Sequence, residues 1–124
     1  MKEQQHAHRA ERVMRSMSKL APHEYEMLIE AAMIAGTQLF NVCLHRLGIT
    51  AEGEDVMHAE YLTGHQRIRI NLLAPGLAEL LDEIEQLRPG YVRGDFAQGE
   101  AAAQRCVKAL HALHERAQSI TQST

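Results

Sequence analysis

The sequence predicts an all-α fold, an up-and-down four-helix bundle with a short additional N-terminal helix, and three observations carry that expectation. Leu77, Leu80, Leu81, Ile84 and Leu87 recur at steps of three and four, which at ~100° per residue gathers them on one side of a helix. Ala103, Cys106, Leu110, Leu113, Ala117 and Ile120 repeat the same steps, the spacing of a seam packed lengthwise against another helix. Between the two lies the turn-forming run Arg88-Pro89-Gly90-Tyr91-Val92-Arg93-Gly94-Asp95, so an antiparallel helical pair is expected.

Taken in order, residues 1–20 are expected to form a flexible segment or a short helix. Ala10, Val13, Met14, Met17 and Leu20 make a narrow apolar stripe there, and the first eight residues are expected to fray. Residues 21–120 are expected to form one bundle domain. Pro22 suits the first turn of a helix, and Glu24 and Glu26 suit the positive end of its dipole. That helix is expected to run to Leu47 and to stop at Gly48, with Ile49 touching Leu44 in a left-handed glycine cap.

On this helix Tyr25, Leu28, Ile29, Ala32, Gly36, Leu39, Phe40, Cys43 and Leu47 share one face, while Glu26, Glu30, Thr37, Gln38, Asn41 and His45 lie opposite. Val42 and Leu44 widen the apolar arc beyond half the circumference, which marks a central helix buried against two neighbours. Gly36 would let another backbone approach closely. After an acidic connection over residues 49–57, Tyr61, Ile68 and Leu72 fit a helix, whereas Ile68, Ile70 and Leu72 alternate as a strand would. A lone strand has no pairing partner, so a helix interrupted near Gly64 and stopped by Ala74-Pro75-Gly76 is expected. Asp95 is expected to cap the final helix, with Gln98 completing a capping box.

The chain has 124 residues and 13.9 kDa, enough for one domain that buries roughly two-thirds of its unfolded surface. Cys43 and Cys106 fall on apolar helical faces and no hydrophobic leader precedes them, so core packing and a reduced, cytoplasmic setting are expected. No uninterrupted apolar run approaches the ~20 residues of a membrane span. A formal charge of -3 argues against a surface that binds nucleic acid all over but leaves room for a local basic patch.

Eight histidines raise the question of a metal. A di-iron bundle needs inward-facing Glu-x-x-His pairs on two helices. Here Glu3-x-x-His6 falls in the fraying segment, and the other near match is Asp55-x-x-His58. His111 and His114 share a helix but diverge around it, and His65 is expected to be semi-buried and hydrogen-bonded. Surface or hydrogen-bonded roles are therefore expected, with no metal site and no cofactor. There is no phosphate loop and no nucleophile elbow, so no catalytic residue is assigned.

The turn is the best candidate site. Arg88 falls on the apolar side of its helix beside Tyr91 and Arg93, and a buried guanidinium must find a carbonyl, a carboxylate or a bound anion. An anion or nucleic-acid site is expected there, with Arg67 and Arg69 assisting. The bland alternative has Arg88 complementing the negative end of its own helix and Arg93 solvated.

The stretch Ile84-Glu85-Gln86-Leu87-Arg88, then Tyr91 and the last helix with Ala101, Ala102, Ala109 and Leu110, resembles the final two helices of HEPN domains. The resemblance covers about the last third of the chain. It implies a small helical bundle, commonly a homodimer, acting as an RNase or as the noncatalytic partner of a nucleotidyltransferase. RNase members resemble one another in an Arg-x(4-6)-His motif near the start of the final helix. After Arg88 the matching window holds Arg93, Gly94 and Asp95 and no histidine. Arg105 and His111 satisfy the spacing but point ~120° apart on one helix, so they cannot meet within a subunit. The expectation is a noncatalytic, dimeric binding or regulatory module. The alternatives are an RNA-cleaving dimer that uses Arg105 and His111 across its interface, and a histidine metal-binding bundle.

Overall fold

The computed structural model describes residues 1–122, and every regular element among them is helical. In order these are α1 (Glu3–Met17), α2 (Tyr25–Arg46), a 3-10 turn (Ala59–Tyr61), α3 (Gly64–Leu73), α4 (Leu77–Arg88), a π-helical turn (Pro89–Arg93) and α5 (Gly99–Gln122). The break expected near Gly64 is present, and residues 68–72 are helix, not strand. Thr63 caps α3 by accepting from the Gln66 N–H at 3.1 Å, while the Gln66 side chain accepts from the Thr63 N–H at 3.0 Å.

α2 is the central helix, packed against α1, α4 and α5, while α4 also packs against α5. Its Ile29, Phe40 and Leu44 are fully buried, each worth roughly 1.5–3 kcal/mol of apolar transfer. α2 is long and apolar enough to cross a membrane, with mean hydropathy 1.5, but 72% of that window is buried inside the protein. The Tyr25 ring lies against Gly99 at one end, and Arg46 reaches Thr121 O at 3.0 Å at the other, so α2 and α5 run parallel. Arg46 also pairs with Glu3 at 2.7 Å, and Arg88 pairs with Glu30 at 2.6 Å, so α1 and α4 both run antiparallel to α2.

α2 stops where a glycine cap was expected. Gly48 has φ +70, its N–H donates to His45 O at 3.1 Å, and Ile49 N–H donates to Leu44 O at 2.9 Å. At Gly36 the approach is by side chains, not backbone: a Cβ there would stand 3.3 Å from Ile84 Cδ1 and 3.4 Å from Leu113 Cδ1.

Two local expectations are corrected, at the start of α1 and at Asp95. α1 begins at Glu3, with Ala10 fully buried and His6 2% exposed, because its apolar stripe and His6 both pack onto α2. α4 ends at Arg88 with Pro89 at its C-cap, as expected, and the chain goes on as a wider π turn closed by Gly94 N–H to Pro89 O at 3.0 Å. Proline's fixed φ suits a helical turn and its missing N–H is simply bypassed. Asp95 is exposed and does not cap the last helix; α5 starts at Gly99, after Gln98 takes φ 66.

Candidate functional site

The turn after α4 places Arg88 and Arg93 along one cleft of about 440 Å³, with His58, Glu60, Asp82 and Glu85 also lining it. Arg88 is engaged: its Nε donates to Glu30 Oε1 at 2.6 Å and its Nη2 to Glu30 Oε2 at 3.3 Å, a two-pronged pairing between half-buried side chains. Arg93 is exposed. Tyr91 stands edge-on to Phe96, with ring centroids 5.5 Å apart.

Arg67 donates to Ala59 O at 2.9 Å and lies 3.9 Å from Asp82, while Arg69 donates to Gly48 O at 3.2 Å near the end of α2. Of the five expected residues, Arg88 and Arg93 therefore share the cleft, Arg67 borders it through Asp82, and Tyr91 and Arg69 make other contacts. Burial pushes the Glu85 carboxyl above its usual range, against the Ala59 N–H it accepts at 3.0 Å and His58 at 3.5 Å. Three carboxylates thus share the walls with the two guanidinium groups, one of which is already paired.

Arg105 is 61% exposed and pairs with Glu83 on α4 at 3.4 Å, whereas His111 lines an apolar groove with Leu20, Pro22, Leu28 and Val107. They do not converge within the chain. His111 and His114 line different grooves, apart from the shared helix, and His65 is exposed instead of semi-buried.

A second site lies on the side of α2 opposite its apolar face. The second half of the polar stripe of α2 is buried: Thr37, Gln38 and Asn41 are at most 5% exposed, and the His45 side chain is 3% exposed. The segment after Gly48 turns back along α2 and covers it. Asn41 Nδ2 donates to Val56 O and its Oδ1 accepts from Val56 N–H, both at 2.8 Å. Residue 55 is thereby held beside the end of α2, where the start of α1 also arrives.

There His6 Nε2 lies 2.9 Å and His45 Nε2 3.1 Å from Asp55 Oδ1, and the imidazole centroids are 5.3 Å apart. His6 Nδ1 faces Gln38 Oε1 at 2.6 Å, and His45 Nδ1 faces Thr50 Oγ1 at 2.8 Å. The Met1 amino group donates to Asp55 Oδ2 at 3.1 Å. Burial alone would raise the Asp55 pKa, but hydrogen bonds from His6, the Met1 amino group and His45 outweigh it and bring the value down to about 2. The carboxylate is ionised across the neutral range.

Sequence reading missed this constellation because no two of its members lie within a short motif. The available signal was weak: Gln38, Asn41 and His45 form one polar line on an otherwise apolar helix, and His6 and Asp55 each belong to an incomplete Glu/Asp-x-x-His pair. No family model matches the chain, and neither does any curated protein or solved structure.

Proposed function

We propose that the chain is a noncatalytic, HEPN-like up-and-down bundle that acts as a homodimeric binding or regulatory module, meeting a protein partner through the cleft lined by Arg88 and Arg93. The observation that carries this reading is the two-pronged hold of Glu30 on Arg88 beside Glu60, Asp82 and Glu85. A polyanion such as RNA gains from unpaired cations and their released counterions. A cleft with this balance of charge favours a partner that presents both signs, as a protein surface does. The HEPN resemblance makes a nucleotidyltransferase-type protein the first partner to try. Self-association is motivated by Met27 and Ile34, exposed at 59% and 40% and two helical turns apart on α2.

The test combines RNA cleavage with co-purification. The wild-type protein should leave single-stranded RNA intact. It should co-purify with the product of a nucleotidyltransferase gene beside its own, and Arg93→Glu should abolish that complex. RNA cleavage that disappears in His111→Ala, with the fold retained, would overturn the reading in favour of an RNase dimer using Arg105 and His111. Sedimentation at micromolar concentration should give a dimer, and a monomer there would remove the homodimer from the proposal.

A further inference from the structure

We propose that His6, His45 and Asp55 form a binding site for one divalent transition-metal ion, with zinc the leading candidate. The site is independent of the cleft at Arg88 and is built from three separate parts of the chain: α1, the last turn of α2 and the segment that folds back over it. Their ligand-type atoms all lie within 4.8 Å of one another. In a tetrahedral site with bonds of about 2.0–2.1 Å, neighbouring donors stand roughly 3.4 Å apart. The two Nε2 to Oδ1 distances are 2.9 and 3.1 Å, so these two separations need to open by only a few tenths of an ångström.

The hydrogen bonding behind the imidazoles points the same way. The Gln38 side-chain amide lies 2.6 Å behind His6 Nδ1, and its oxygen can accept a proton there, the tautomer that frees Nε2 to ligate. In the metal-free chain a ring proton at Nε2 donates to Asp55 instead, and an ion displaces it. Thr50 offers the equivalent acceptors behind His45, with Oγ1 at 2.8 Å and its backbone carbonyl at 3.4 Å from Nδ1. One metal ion bound by both Nε2 atoms and Oδ1 satisfies all three groups at once. Histidine ligands backed at Nδ1 by a carbonyl or hydroxyl oxygen are the usual outer shell of such sites.

The donor set selects the class of ion. Two imidazole nitrogens and one carboxylate suit zinc and its first-row neighbours, whereas magnesium and calcium require oxygen ligands. Three protein ligands leave at least one coordination position for water. The Asp55 side chain, 24% exposed, marks the side from which an ion and that water arrive.

The test is a titration of chelator-stripped protein with zinc chloride by calorimetry and with cobalt chloride by visible absorption. Wild-type protein should bind one equivalent and give the cobalt bands of a four- or five-coordinate nitrogen and oxygen site. His6→Asn and Asp55→Asn should each weaken binding by about 100-fold or more, and Gln38→Met by about 10- to 100-fold through loss of the Nδ1 acceptor. His8→Ala and His111→Ala should leave binding unchanged. Should a ligand variant fail to fold, nitrogen-15 spectra of wild-type histidines decide, because zinc should move the Nε2 signals of His6 and His45 together. No binding to the wild-type protein, binding unaltered in folded ligand variants, or zinc shifts confined to other histidines would overturn the assignment.

Discussion

Asn41 pairs with Val56 as one strand pairs with another, giving a donor to its carbonyl and an acceptor to its N–H, both at 2.8 Å. Asn41 is fully buried, and its Nδ2 also donates to Thr37 O at 2.8 Å. Replacing it by leucine leaves both polar groups of the Val56 backbone buried without partners. Asn41→Leu should lower stability by about 2–4 kcal/mol in urea unfolding. It should also speed amide exchange at Val56 in the native state, and an unchanged exchange rate would mean that the segment is held by other contacts.

Arg88 and Glu30 form a pair in which each side chain keeps just over a quarter of its exposure. A double-mutant cycle with Arg88→Met and Glu30→Gln should return a coupling of about 1 kcal/mol at low salt. A coupling near zero would mean that the guanidinium is available to an external anion, and would revive the nucleic-acid reading of the cleft.

Asp55 titrates at about 2 in the folded protein against an ordinary value of 3.8. A carboxyl depressed on folding contributes stability that is complete above its unfolded value and is lost as pH falls through its folded one. Metal-free wild-type protein should therefore lose on the order of 1 kcal/mol between about pH 4 and pH 2, after discounting for solvent screening. Asp55→Asn should lack that part of the acid dependence. Parallel stability curves for the two proteins over this interval would contradict the assignment.

Burial pushes the Cys43 thiol up to about 12 and the Cys106 thiol up to about 11. Neither supplies thiolate at neutral pH. At pH 8 Ellman's reagent should find no thiol in the native protein and both in denaturant, whereas a rapid native reaction would expose a reactive cysteine.

The long helices were legible because their apolar spacing is a local property. The steps of three and four over Leu77 to Leu87 and Ala103 to Ile120 lie within α4 and α5, and Gly48 ends α2 through contacts no more than five residues away. The buried polar site was not legible for the opposite reason. Periodicity says that Gln38, Asn41 and His45 share a side of α2 but cannot say what covers that side. Here the cover is an irregular segment and the start of α1, which bring Asp55 ten residues back to His45 and forty-nine residues from His6. The cleft was legible only as a pair of arginines, because Glu30 meets Arg88 across fifty-eight residues. The end of α4 at Pro89 was legible because proline and glycine commonly stop a helix, whereas the closing bond that makes the next turn a π turn has no residue signature.

The most direct measurement is anomalous scattering at the zinc edge from crystals of the zinc-loaded protein. One peak should appear, about 2.0–2.2 Å from His6 Nε2, His45 Nε2 and Asp55 Oδ1. A peak at exposed histidines such as His65 or His111, or no peak at all, would contradict the account.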